Sequence, residues 1–192
     1  MNRNIYPIIN VTQNCSLNID FVKTVLTSLK PRYLQIRMKE SSHIELVCAT
    51  LQIIEIKKRL NLETSIIVND SVDAAVESGA DGVHVGQKDC CAEIIKERFP
   101  KLIVGLSTHN IDQVAYANSL DIDYIGFGPV FETSTKKDHD PVVGNLTEKA
   151  IAISKHSVVF IGGINKKNIA LLPSSDKVFF ALVSALGDFI KV

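Results

Sequence analysis

Short apolar, β-branched runs alternate along the chain with longer segments whose apolar residues recur at helical spacing. YPIINV (6–11) predicts a first strand and NIDFVKTVLTSLK (18–30) the helix after it. RYLQIRM (32–38) predicts a second strand, followed by a helix in HIELVCATLQIIEIKKRL (43–60). SIIVN (65–69) and GVHVG (82–86) flank a short helix in SVDAAVESG (71–79), with Gly79 as its C-terminal stop. LIVGLS (102–107) and DYIGFGPV (123–130) flank a helix opened by Asn110. LTEKAIAISKH (146–156) predicts a helix, SVVFIGG (157–163) a strand, NKKNIALL (165–172) a helix and KVFFALV (177–183) the last strand. The remnant SALGDFIKV is too short for a full helix after it.

Strands alternating with helices in this way build a parallel sheet. Eight strands, with seven clear helices and a truncated eighth, predict one α/β domain over 1–192, a (β/α)8 TIM barrel. A doubly wound open sheet is the rival fold. It would leave two long apolar segments unplaced, and no glycine-rich dinucleotide fingerprint opens any helix. One internal echo, SGADGVHVG against SLDIDYIGFG, repeats an acidic turn, an apolar strand and a glycine.

Composition narrows the function. With 192 residues and 46% hydrophobic content the chain can bury one sizeable core. Lys+Arg and Asp+Glu are equal at 21 each, which argues against a broad nucleic-acid surface and makes any anion binding local. The longest apolar runs reach about ten residues, against roughly 20 for a bilayer crossing. The start, MNRNIYPIINV, has no apolar signal core, so the cytoplasm is the expected compartment. Cys15, Cys48, Cys90 and Cys91 lack zinc-finger or C-x-x-C spacing, and Cys90-Cys91 read as free thiols at a helix start.

In such a barrel, chemistry is built where strands end. Gln35, Arg37 and Lys39 are spaced by two on the second strand and share one face; they form an anion site or pair with neighbouring carboxylates. Asn69-Asp70 end the third strand and Asp89 follows the fourth. Two carboxylates at adjacent strand ends suit a hard divalent cation such as Mg²⁺, although Asn69-Asp70 could equally cap the next helix. Ser107-Thr108-His109 end the fifth strand, His109 being more in keeping with a structural role. The sixth strand runs into FGPVFETSTKKDHDPVVGN, a loop of hydroxyls and cations. Gly163 after the seventh strand and Val183-Ser184 after the eighth mark the place where backbone N–H groups take a phosphate in this fold. Two anion sites on one face describe an enzyme joining or splitting two phosphorylated molecules.

These residues resemble a known family. YLQIRMK, IVNDSVDAAVESGADGVHVGQKD, VGLSTH, YIGFGPVFETSTKK, FIGGIN and VSAL together, over about Tyr33 to Leu186, look like thiamine phosphate synthase. The resemblance implies a transferase that condenses a pyrimidine methyl diphosphate with a thiazole ethyl phosphate and releases pyrophosphate. It implies that Gln35, Arg37, Lys39, Asn69, Ser107 and Lys136 hold the pyrimidine diphosphate. Arg37, Lys39, Ser107 and Lys136 would assist its departure, and Asp70 and Asp89 would bind Mg²⁺. Thr133, Ser134, Thr135, Gly163, Val183 and Ser184 would hold the thiazole phosphate, with the KKDHDPVVG segment closing over both substrates. Members of the family are often homo-oligomers, although no single stripe here argues an interface. Glu132 stands where proline is frequent, and LLPSSDKVFF lacks the family's Gly-Ala-Asp-Gly turn. The alternatives are a related thiazole tautomerase, which would place a histidine where Pro129 stands, and a non-catalytic barrel that binds thiazole phosphate.

Overall fold

A computed structural model describes residues 4–12, 15–133 and 141–190. Eight parallel strands form a closed barrel in sequence order: β1 (Ile5–Asn10), β2 (Tyr33–Arg37), β3 (Ser65–Asn69), β4 (Gly82–Val85), β5 (Ile103–Thr108), β6 (Tyr124–Phe127), β7 (Ser157–Phe160) and β8 (Val178–Leu182). Each strand pairs with the next, and β8 returns to β1 with Ile5 opposite Phe180. Among the described residues six α-helices cover the outside: α1 (Ile19–Leu29), α2 (His43–Arg59), α3 (Val72–Ser78), α4 (Ala92–Arg98), α5 (Ile111–Ala117) and α6 (Thr147–Ile153). Among these residues no helix is long and apolar enough to cross a membrane.

Local chemistry starts and stops these elements. Ser42 and Glu45 form a reciprocal capping box at the start of α2, and Lys57, Lys58 and Arg59 face the negative end of its dipole. Asn18, Ser71 and Asn110 cap α1, α3 and α5 through their side chains. Gly79 closes α3 in the left-handed region, as its position in the sequence predicts.

The internal echo has a structural cause. Asp81, just before β4, accepts the Ile66 N–H of β3 and the ammonium of Lys57 on α2. Asp123, just before β6, accepts the Val104 N–H of β5, and Lys96 on α4 lies 2.8 Å away. Each carboxylate pins a strand start to its neighbour and to a helix. The repeat is therefore architectural.

Strands covered on both faces read as continuous apolar runs, which is why all eight are visible in the sequence. One layer of Leu, Ile and Val lies between barrel and helices, each fully buried side chain contributing roughly 1.5–3 kcal/mol. A second, smaller cluster fills the barrel itself and includes Tyr6, Tyr33 and Tyr124, whose ring centroids lie 5.5–5.8 Å apart.

Seven clear helices were expected, and the seventh is absent. Residues 165–172 hold only a 3-10 turn at Ile169–Leu171. The Asn168 side chain accepts the Asn165 N–H, and the Asn165 side chain accepts the Lys167 N–H, so local bonds replace the helical ladder. Pro173 then holds Leu172 extended. Ile169 and Leu172 nevertheless cover the wall. Among the described residues after β8 the one helical element is a 3-10 turn at Leu186–Phe189, in line with the expected truncation.

Candidate active site

The carboxyl ends of the strands surround a cavity of about 790 Å³. Gln35, Arg37, Lys39, Asn69, Asp70, Asp89, Ser107, Thr133, Gly163, Val183 and Ser184 all line it. Ser134, Thr135 and Lys136 lie outside the described residues.

On β2 the alternation works as the spacing predicts. Gln35 is buried inside the barrel, Arg37 is half-buried one layer higher, and Lys39 reaches the rim. The register sets Ile8 opposite Gln35 and Asn10 opposite Arg37, so the Arg37 guanidinium donates to Asn10 Oδ1. Burial lowers the pKa of Arg37, and Asp70 and Glu40 oppose that shift.

Asp70 does not cap α3, since Ser71 takes that role. Instead Asp70 adopts a left-handed φ of 64° and donates its N–H to the His84 carbonyl, turning its carboxylate toward the rim. Lys39 Nζ lies 3.4 Å from Asp70 Oδ2. Burial pushes the Asp70 carboxyl up, Lys39 pulls it back, and the nearby Asp89 raises it again. Asp89 in turn accepts the Gly86 N–H at 2.6 Å.

Two neighbouring carboxylates with mutual repulsion fit a divalent cation that completes its shell from water and substrate oxygens. Among the described residues no group of three or more His, Cys, Asp or Glu is placed to hold a metal. The protein would therefore supply only part of such a shell.

The floor of the cavity carries groups that the sequence reading passed over. His84 on β4 contacts Ser107 Oγ through Nε2 at 2.9 Å and Tyr124 Oη through Nδ1 at 3.1 Å. Tyr124 Oη lies 2.7 Å from Tyr6 Oη, which accepts from Gln35 Nε2 at 3.2 Å. Burial holds the His84 imidazole down at about 4, so the ring is neutral near pH 7. It raises the phenols of Tyr6 and Tyr124. His84 shares the inner face with Gly82 and Gly86 on the period of two, and that was the available signal. His109 Nδ1 donates to the Gly128 carbonyl at 2.8 Å, a bond suited to the structural role expected of it.

After β7, Gly162 and Gly163 have φ of 103° and 63°. A Cβ on Gly163 would lie 2.3 Å from the Glu132 carbonyl, so the turn needs glycine for its conformation and for its close packing on the loop after β6. Among the described residues the N–H groups of Gly163 and Ser184 have no protein acceptor, and both residues line the cavity. The end of the expected closing segment is fixed: Val143 is buried and its N–H donates to Pro129 O at 2.8 Å.

Residues 5–186 match the family model described as thiamine monophosphate synthase. A curated thiamine-phosphate synthase of Persephonella marina is 47% identical over 122 residues, 62% of this chain and 58% of that relative's length. One from Methanococcus maripaludis is 37% identical over 174 residues, covering 87% of this chain and 81% of its own. The solved thiamine phosphate pyrophosphorylase of Pyrococcus furiosus superposes with a TM-score of 0.80 at 27% identity, over 97% of this chain and 89% of that one. The chain thus spans less than two thirds of the length of several curated relatives it matches.

Proposed function

The chain belongs to the thiamine monophosphate synthase family, and from that premise we propose that it is a transferase joining a pyrimidine methyl diphosphate to a thiazole ethyl phosphate. The products are thiamine phosphate and pyrophosphate. The observation that carries the reading is the convergence of basic, acidic and backbone-donor groups on one cavity. Arg37 and Lys39 stand at the end of β2, and Gly163 and Ser184 follow β7 and β8.

In this reading the bond between the pyrimidine methylene carbon and the diphosphate oxygen breaks, and its electron pair leaves with the oxygen. The thiazole nitrogen then donates its lone pair to that carbon, forming the new C–N bond. Arg37 and Lys39 stabilise the negative charge that collects on the leaving group. Lys136 is assigned the same task from the sequence. Asp70 and Asp89 would hold Mg²⁺, which when bound neutralises part of the diphosphate charge. Gln35, Asn69 and Ser107 hold the pyrimidine diphosphate. Thr133, together with the backbone of Gly163, Val183 and Ser184, holds the thiazole phosphate, as do Ser134 and Thr135 by sequence. Holding both reactants in line supplies the main acceleration, and the walls keep water from the electron-poor carbon. No protein base is needed, since the attacking nitrogen carries no proton. The four exposed free cysteines suit a reducing compartment and support a cytoplasmic site of action.

The test is pyrophosphate release by purified protein given both substrates, with Mg²⁺ and after chelation, beside an Asp89→Ala variant. Metal-dependent release coupled to thiamine phosphate, lost in the variant, is the expected result. Folded wild-type protein that releases none refutes the reading.

A further inference from the structure

The polar groups on the barrel floor form one continuous chain, and its protons can be counted. Gln35 Nε2 donates to Tyr6 Oη, so the single Tyr6 proton is available to Tyr124 Oη at 2.7 Å. Tyr124 Oη, having accepted that bond, gives its own proton to His84 Nδ1 at 3.1 Å. An accepting Nδ1 places the proton of a neutral imidazole on Nε2, which then donates to Ser107 Oγ at 2.9 Å. The Ser107 proton is left without an acceptor inside the chain. Ser107 lines the cavity, and that proton is directed into it. In the reverse arrangement Tyr6 Oη would accept from both Gln35 and Tyr124, and its own buried proton would be left with no acceptor among these groups.

Resting on the proposed reaction, we propose that Tyr124 and His84 are positioning residues that fix Ser107 as a hydrogen-bond donor toward the pyrimidine diphosphate. The atom of that substrate facing Ser107 is then an acceptor. An analogue carrying a donor there binds more weakly, because the Ser107 proton must then turn away from it and lose its acceptor.

The packing holds the chain in place. A Cβ on Gly105 would lie 2.1 Å from the Tyr124 ring and 2.5 Å from His84 Nδ1, and one on Gly126 would lie 3.1 Å from the His84 ring. Glycine backbone therefore presses on both rings, while the rings stack on each other with centroids 5.5 Å apart. Tyr33 also stacks on Tyr124, with ring centroids 5.5 Å apart. This packing fixes where Tyr124 Oη and the two His84 nitrogens lie, so the direction of the chain is decided by hydroxyl orientation and the imidazole tautomer. Buried hydrogen bonds in such a series polarise one another, which favours a single direction along the chain.

Two measurements test the proposal. Long-range ¹H–¹⁵N spectra of labelled protein without substrate, with His84 assigned by comparison with His84→Gln, are expected to show Nε2 protonated and Nδ1 bare near neutral pH. A protonated Nδ1 would mean that the chain runs the other way, with Ser107 donating to His84, and would overturn the proposal. This readout needs no turnover, so it stands apart from failure of the reaction itself. The second measurement is a kinetic cycle. Tyr124→Phe should lower kcat/KM about three- to tenfold in the wild-type background, the worth of one hydrogen bond, and change it little in a Ser107→Ala background. Equal losses in both backgrounds, with both proteins folded by their melting curves, would show that Tyr124 acts by structure alone and would overturn the proposal.

Discussion

Lys39 Nζ lies 3.4 Å from Asp70 Oδ2, which joins the cation expected to hold the diphosphate to a carboxylate expected to hold the metal. The pair sits at the rim, with side chains 51% and 36% exposed, so its worth is that of a surface ion pair, about 0.2–1 kcal/mol. A divalent cation bound at Asp70 would compete with that ammonium. Lys39→Met should therefore tighten Mg²⁺ binding about two- to fivefold by calorimetry while weakening binding of the pyrimidine diphosphate. Unchanged metal affinity would mean that Lys39 does not compete for Asp70.

The environment of Asp70 disfavours its charge. Its folded pKa is raised by burial first and by Asp89 as well, so whatever stability its protonated form contributes is present at low pH and lost as pH rises through the folded value. Asp70→Asn removes the penalty, and asparagine tolerates the φ of 64° as well as aspartate does. The variant should melt higher than wild type at pH 7 and lose metal-dependent turnover. A lower melting temperature would show that the pairing with Lys39 outweighs desolvation.

His84 gives a dependence of opposite sign. Its pKa falls from 6.5 to about 4 on folding, chiefly through burial, with Asp89 opposing and His109 adding to the shift. Between these values the unfolded chain binds more protons, so stability falls as pH is lowered through the window. The slope is at most about 1.4 kcal/mol per pH unit. Urea unfolding near pH 7 and pH 5 should show this loss in wild type and a smaller one in His84→Gln. Equal losses would place the sensitive group elsewhere.

Gly163→Ala combines a left-handed backbone with a clash against the Glu132 carbonyl. The substitution should cost about 1–3 kcal/mol in unfolding free energy and raise KM for the thiazole phosphate more than for the pyrimidine diphosphate. Equal effects on both substrates would remove the phosphate assignment from this turn.

The strands were legible because burial on both faces leaves them apolar, and the basic trio was legible because Gln35, Arg37 and Lys39 break that rule at alternate positions. The absent seventh helix was not. NKKNIALL has helical spacing, but whether Asn165 and Asn168 bond to local backbone instead is settled by the turn that β7 and Pro173 impose. The floor of the cavity was hidden for a different reason. Tyr6 and Tyr124 count as apolar in any periodicity, and only the ring closure brings residues 118 positions apart within a hydrogen bond. His84 carried a period-of-two signal that its glycine neighbours obscured.

Closure of β8 onto β1 has a thermodynamic consequence. The cavity draws on Asn10 at the end of β1 and on Ser184 beyond β8, so both flanks of the seam line one cavity. A molecule that touches both flanks can leave the seam intact or leave the protein, but it cannot remain bound while the seam parts. At a hundredfold excess over its Kd it would hold the seam shut by about 2.7 kcal/mol. The seam between β8 and β1 is thus fastened by whatever the barrel binds.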